Sequence, residues 1–311
     1  MPTRSAPAEQ RPLTFVTGDG LTLRGVIGGG TSAHGADGAP PRVLFLPGVG
    51  FPVQCYVPAL TPLFARTVVA GLNHRGHGDS DNPQALRGWP PYRQDIHDFI
   101  RQRMQPPVIL GGHSFGSMLS LWLAAECPEL VDGLLLLDPL YPGTPAEPWP
   151  PHALERAQYL LQTTHTRRSR WPSPEEAETA LRGRGVFAGW CEAALQAYLR
   201  VGLLPSGEGR AVQLACPLEV ERELFSDERL QHSWDWVPQV RAPVAILRGA
   251  TSHVSLHHHY RALAASFALA SVFTVRGAHT FPMEQPAATG EALVAACTLL
   301  ERSRGGTVGG L

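Results

Sequence analysis

The stretch Pro107-Val108-Ile109-Leu110-Gly111-Gly112-His113-Ser114-Phe115-Gly116-Ser117-Met118-Leu119 decides the fold. An apolar run ending at Gly111 enters a G-x-S-x-G pentapeptide, Gly112 to Gly116, and a helix-like segment from Ser117 to Ala125 leaves it. Strand, sharp turn, helix is the setting in which this pentapeptide presents a serine nucleophile. A Cβ at either flanking glycine is expected to collide with neighbouring backbone. The tight turn holds Ser114 in a strained conformation that lifts Oγ clear of the sheet. In a chain with 32 glycines the pentapeptide alone is a weak signal, so the surrounding sequence must decide.

Outward from this stretch, apolar runs alternate with helical patterns. Strands are predicted at Val43–Leu46, Val68–Leu72, Val108–Leu110 and Leu134–Leu137, with Tyr92, Ile96, Phe99 and Ile100 at helical spacing between the second and third. Continuous apolar strands separated by helices predict an α/β protein with a mostly parallel, doubly wound sheet covered on both faces. Upstream, Leu13–Val16 and Leu21–Ile27 flank Gly18-Asp19-Gly20 and predict an antiparallel hairpin. The alternation breaks after Asp138. Residues 141–239 carry no convincing strand but hold helical stretches at 152–162, 174–183 and 190–200. The rhythm resumes with Val244–Leu247, a helix near 257–267, Val272–Val275 and a last helix near 287–302. The expected organisation is a core of residues 13–140 and 240–305, a helical lid of residues 141–239 inserted over the carboxyl edge of the sheet, and flexible termini at 1–12 and 306–311.

Composition narrows the chemistry. A net charge of −1 provides no global field for nucleic acid or an anionic membrane. The basic run Thr166-Arg167-Arg168-Ser169-Arg170 reads as a solvated helix end or loop. All 26 basic residues are arginine, which excludes a Schiff-base lysine and a Walker-type phosphate lysine. Five dispersed cysteines without a C-x-x-C pair argue against a disulfide framework and a structural zinc site. No apolar h-region follows Met1 and no run is apolar enough to span a membrane, so a soluble cytoplasmic protein is expected.

A serine nucleophile needs a base, a group that orients the base, and amide donors for the oxyanion. His279 is the expected base, because Gly277-Ala278-His279-Thr280 follows the last strand and precedes the last helix. The other twelve histidines are set aside by position. His113 adjoins the serine but points elsewhere, and His74 and His77 hold the Gly-rich loop Asn73–Ser80 together. His257, His258 and His259 are neighbours on a helix and cannot share one metal ion. Asp138, at the end of the strand after the nucleophile's helix, is the expected acid; the loop Leu247–Val254 after the next strand contains no Asp or Glu. The backbone N–H of Phe115 is the first oxyanion donor. Val49, in the loop Pro47-Gly48-Val49-Gly50-Phe51, is the second, with Gly50 as its alternative. The order Ser114, Asp138, His279 is that of nucleophile-elbow hydrolases.

With these residues in place the chain resembles the α/β-hydrolase superfamily, in its lid-bearing serine-hydrolase branch, over residues 13–303. The elbow, Arg75-Gly76-His77-Gly78-Asp79-Ser80, Gly277-Ala278-His279 and Pro282-Met283-Glu284-Gln285-Pro286 carry the resemblance. Two departures stand out. The His-Gly that often opens the oxyanion loop is Pro47-Gly48, so that loop must be anchored without the usual imidazole. The late-loop acid is absent, and the resemblance implies that an acid at the earlier strand can take its role.

The expected activity is hydrolysis of a carboxylic ester, or a related thioester or lactone, through an acyl-enzyme without cofactor or metal. Alternatives are C–C bond hydrolysis, a cofactor-free perhydrolase, and a non-catalytic ligand-binding protein. Trp149, Trp171, Trp190, Trp234 and Trp236, with Tyr159, Phe187 and Tyr198, fall in the insertion. Each is read first as subdomain core, and together they favour a small substrate with an apolar portion. A monomer or homodimer is expected, with no nucleic-acid partner and no membrane insertion.

Overall fold

The fold was analysed in a computed structural model, which describes residues 10–29, 39–141, 144, 162, 166–207, 209–255 and 257–305. The hairpin forms as the Gly18–Gly20 turn demands. β1 (Gln10–Val16) pairs antiparallel with β2 (Thr22–Gly28), with Phe15 opposite Leu23. β1 begins at Gln10, so residues 10–12, expected to be flexible, are strand. Their pairing with Val26, Ile27 and Gly28 outweighs a polar, Pro-containing sequence. Residues 1–9 and 306–311 lie outside the described residues.

The runs read as buried strands become β3 (Val43–Leu46), β4 (Val69–Leu72), β5 (Val108–His113), β6 (Val131–Leu137), β10 (Val244–Gly249) and β11 (Ala270–Val275). Their spatial order is β1-β2-β4-β3-β5-β6-β10-β11. From β4 through β11 all pairings are parallel. Every residue of β3, β4, β5 and β10 is buried, which is why these strands read as unbroken apolar runs instead of alternating ones.

Helices cover both faces. α1 (Val57–Phe64) and α9 (Pro286–Gly305) pack together on one side, and α2 (Pro90–Arg103) and α3 (Phe115–Glu126) on the other. Phe15 meets Phe99 of α2 edge-on with ring centroids 5.3 Å apart, which fastens the hairpin to the core. All five cysteines are free; Cys55, Cys216 and Cys297 are buried.

Between β6 and β10 the structure departs from the expectation of helices alone. β7 (Arg170–Trp171), β8 (Leu203–Pro205) and β9 (Val212–Leu214) form a small antiparallel sheet in the order β7-β9-β8. Strands of two or three residues are too short to show a period of two, so the sequence carries no signal for them. The helices read at 174–183 and 190–200 are present as α4 (Pro174–Leu181) and α5 (Glu192–Val201), joined by α6 (Leu218–Ser226), and the one read near 257–267 is α7 (His257–Ala265). Of the helix read at 152–162 only residue 162 is described, and Trp149 and Tyr159 lie outside the described residues.

This block is seated on the loops at the carboxyl end of the sheet. Cys191 N–H donates to the Met283 carbonyl at 2.9 Å, and Trp89 Nε1–H to the Leu224 carbonyl at 2.9 Å. Phe187, Trp190 and Tyr198 pack edge-on into an aromatic cluster that reaches Phe51, 5.4 Å from Trp190. Trp236 instead stacks on Trp122 of α3 at 5.5 Å. These rings are packing residues, as the reading of each singly had it. The basic run is not a solvated loop throughout: Arg167 pairs with the buried carboxylate of Glu221 on α6, and Arg168 lies over Trp171 at 5.6 Å.

Candidate active site

Ser114 sits between the last residue of β5 and the first of α3, with φ 53° and ψ −114°. This region is strained for a residue with a side chain, and the surroundings hold it there. Ser114 N–H donates to the Leu137 carbonyl at 2.9 Å, and Ser117 Oγ bridges the Gly112 and Leu137 carbonyls at 2.5 and 3.0 Å. A Cβ on Gly112 would stand 2.6 Å from the Leu46 carbonyl oxygen, and one on Gly116 2.3 Å from the same atom. Both glycines are therefore required by backbone packing of the elbow against β3, as the pentapeptide alone suggests.

Asp138 follows β6 and is the other non-glycine residue with positive φ among the described residues, at 45°. Its side chain is fully buried. Oδ2 accepts His279 Nδ1–H at 2.7 Å and also the hydroxyl of Ser252; Oδ1 accepts Tyr260 Oη–H at 2.8 Å and Gly249 N–H at 3.1 Å. Burial pushes the carboxyl up. The hydrogen bond and charge of His279, with the Ser252 and Tyr260 hydroxyls, outweigh that and hold it below the ordinary aspartate value. The loop after β10 lacks an acid, as its sequence requires, but supplies Ser252 and the Gly249 amide to hold the acid that comes from β6.

His279 lies on the loop between β11 and α8 (Phe281–Glu284). Glu284 braces this loop: Oε2 accepts Ala278 N–H at 2.9 Å and Oε1 accepts Thr280 Oγ1–H at 2.7 Å. With Nδ1–H committed to Asp138, His279 Nε2 carries the lone pair of a base. The imidazole is partly exposed, at 21 %. Among the bonds formed by the described residues there is none from Ser114 Oγ to His279, a contact commonly long without substrate.

The elbow and the histidine loop meet through His113. Its ring centroid is 4.6 Å from that of His279, and its Nε2 donates to the His279 backbone carbonyl at 2.8 Å. His113 is turned away from Ser114, but it contacts His279, which sequence reasoning missed.

The loop after β3 is anchored by a different imidazole from the one a His-Gly start would supply. His74 Nε2–H donates to the Pro47 carbonyl at 3.0 Å, and Gly48 N–H donates to Tyr56 Oη at 3.1 Å. Burial depresses His74 to about 3 and His77 to about 4, so both are neutral at pH 7. His77 also fits its expected structural part, with Nδ1 on the Arg75 carbonyl at 3.0 Å. Phe115 heads α3, where a first-turn N–H has no partner within the helix. Val49 is half-buried in the anchored loop, next to Gly50 at φ 80°.

Beside Gly50 lies Glu221, whose Oε1 is 2.8 Å from where a Gly50 Cβ would stand. Burial raises the Glu221 carboxyl and the Arg167 guanidinium opposes the rise. Ser252, Tyr260 and Tyr56 escaped the sequence reading, because single hydroxyls carry no spacing signal. Among the described residues no group of three or more His, Cys, Asp or Glu side chains is placed to hold a metal ion, and no helix is long and apolar enough to cross a membrane.

Comparison with known proteins agrees with this fold. A 2-(acetamidomethylene)succinate hydrolase of Mesorhizobium japonicum is 33% identical over 101 residues, covering 32% of this chain and 36% of that protein. A type I acyl-CoA thioesterase of Penicillium roqueforti is 32% identical over 161 residues, covering 46% of this chain and 35% of that protein. The matched stretches thus span about a third of these relatives' own lengths. In solved structures, an E-2-(acetamidomethylene)succinate hydrolase superposes with a TM-score of 0.75 over 93% of this chain and 100% of that one, at 21% identity, a likeness of fold. A family profile described as "alpha/beta hydrolase fold" matches residues 41–286, from the loop before β3 through the elbow and the histidine loop to the start of α9. A match over most of the chain, on a sheet of this order, places the chain in the alpha/beta hydrolase fold family.

Proposed function

We propose that the protein is a serine hydrolase that cleaves a carboxylic ester, or a related thioester or lactone, with an apolar portion. The observation that carries this reading is the buried Asp138–His279 hydrogen bond of 2.7 Å, set beside a serine held at φ 53° on a strand-to-helix turn. His279 Nε2 takes the Ser114 proton as Oγ attacks the acyl carbon. Asp138 holds the tautomer and stabilises the imidazolium. The N–H groups of Phe115 and Val49 receive the oxyanion; one such donor is worth about 10²–10³ in rate. The tetrahedral intermediate collapses, and the leaving oxygen or sulfur departs with the proton from His279. His279 then deprotonates water, which attacks the acyl-enzyme, and returns that proton to Ser114 as the acid product leaves. The chemistry calls on no cofactor. The block between β6 and β10 is the lid in this reading, and the Phe51–Phe187–Trp190–Tyr198 cluster supports an apolar wall beside the oxyanion loop.

A series of p-nitrophenyl esters with acyl chains from two to twelve carbons, with matching acyl thioesters, tests the substrate class. Burying one methylene is worth about 0.8 kcal/mol, so kcat/KM is expected to rise roughly fourfold per carbon until the pocket is filled. A flat series would contradict the apolar portion. A preference for the thioester arm, prompted by the acyl-CoA thioesterase match, would narrow the leaving group.

A further inference from the structure

Between the oxyanion loop and the histidine loop runs a chain of buried hydrogen bonds whose direction is fixed at every link. Gly48 N–H can only donate, so Tyr56 Oη accepts from it at 3.1 Å. The single Tyr56 hydroxyl proton is then available to His113 Nδ1, 2.8 Å away. With Nδ1 accepting, the proton of the neutral ring resides on Nε2, which donates to the His279 carbonyl at 2.8 Å. The reversed tautomer would set the Nε2 lone pair against a carbonyl oxygen and leave the tyrosine proton without an acceptor. Tyr56 and His113 are both fully buried, so solvent offers neither a replacement partner.

From this we infer that Tyr56 and His113 are positioning residues for the reaction: one directional chain sets the oxyanion donors and the catalytic base in register with each other. The inference rests on the serine-hydrolase reading above. One end of the chain fixes Gly48, directly before the oxyanion donor Val49. The middle member is the residue before Ser114. The other end holds the backbone of His279, whose ring binds Asp138. The oxyanion and the imidazolium are the two charges that develop together in the transition state, and they develop on loops that are remote in sequence. A misplacement of about 1 Å can cost about 10²-fold in rate.

The chain also controls charge. Burial, with His279 close by, depresses His113 to about 3, so it stays neutral while its neighbour at 4.6 Å becomes an imidazolium. A protonated His113 would repel that imidazolium, and the incoming Tyr56 hydroxyl leaves no lone pair to protonate.

The test is a double-mutant cycle of Tyr56→Phe and His113→Gln on an ester that the wild type turns over. The glutamine amide keeps a donor toward the His279 carbonyl but loses the tyrosine link. Tyr56→Phe is expected to lower kcat tenfold or more with KM changed less than threefold. The double variant is expected to be no slower than the slower single variant, because both cut one chain. A fall in kcat below tenfold for Tyr56→Phe, or additive effects, would overturn the inference, as would an equal effect on KM. If the variants fail to fold, ¹⁵N-histidine spectra of the wild type decide: His113 must be the Nε2–H tautomer and remain neutral from pH 8 to pH 5, and an Nδ1–H tautomer or a titration in that range would overturn the inference. Failure of the underlying reading is separate, since it would appear as a wild type that hydrolyses no ester.

Discussion

At the scale of single residues, Asp138 shows how an acid is kept both ionised and aimed while fully buried. Four donors converge on it: His279 Nδ1, the hydroxyls of Ser252 and Tyr260, and the Gly249 amide. Asn at this position would present an amide N–H to a ring that needs an acceptor at Nδ1, favouring the wrong tautomer. Asp138→Asn is therefore expected to lower kcat by about 10³–10⁴. Ser252→Ala, which removes one of several supports, is expected to cost about tenfold; the ratio of the two kcat losses, measured on one ester, checks the ranking. The pairing of Asp138 with His279 was legible in the sequence because Leu247–Val254 holds no carboxylate. The clamp around it was not. Ser252 and Tyr260 act through distances that only the packing of β6 against β10 creates, and a serine and a tyrosine in those stretches have many other readings.

At the scale of elements, the elbow was the most legible part of the molecule and the small sheet the least. Strand, turn and helix each left a strong mark between Pro107 and Ala125, and the two glycines that permit the turn are fixed by contact with the Leu46 carbonyl. Gly116→Ala puts a Cβ 2.3 Å from that oxygen, and backbone on both sides leaves little room to yield. The variant is expected to lose about 1–3 kcal/mol of stability, read as a lower urea midpoint at constant m-value, with activity reduced through the displaced Phe115 amide. An unchanged midpoint would mean that the elbow relaxes freely. By contrast β7, β8 and β9 hold together through pairings distant in sequence, such as Arg170 with Gln213, and show no local periodicity. Arg167 illustrates the same limit: in the sequence it is one of a basic run, whereas its role follows from meeting a buried glutamate that lies beyond it by 54 positions.

At the scale of the whole molecule, the parallel sheet is what makes a site from parts remote in sequence. Asp138 and His279 are 141 positions apart, yet they meet because β6, β10 and β11 are consecutive in the sheet and all end on the same side. That convergence is implied by a parallel topology, so the meeting of Asp138 and His279 could be expected from the sequence, and the family match agrees with the fold that brings them together. How the loops are tied to one another through Tyr56 and His113 depends on side-chain geometry and was invisible until the fold was in hand. This convergence is proposed to serve a nucleophilic Ser114. The most direct measurement of that role is reaction with a fluorophosphonate followed by peptide mapping, with turnover of the preferred ester followed in parallel. One adduct per chain is expected, on Ser114, with loss of turnover in step with labelling and neither adduct nor turnover in a folded Ser114→Ala variant. A label on another residue, or a Ser114→Ala protein that keeps most of the wild-type turnover, would contradict that role.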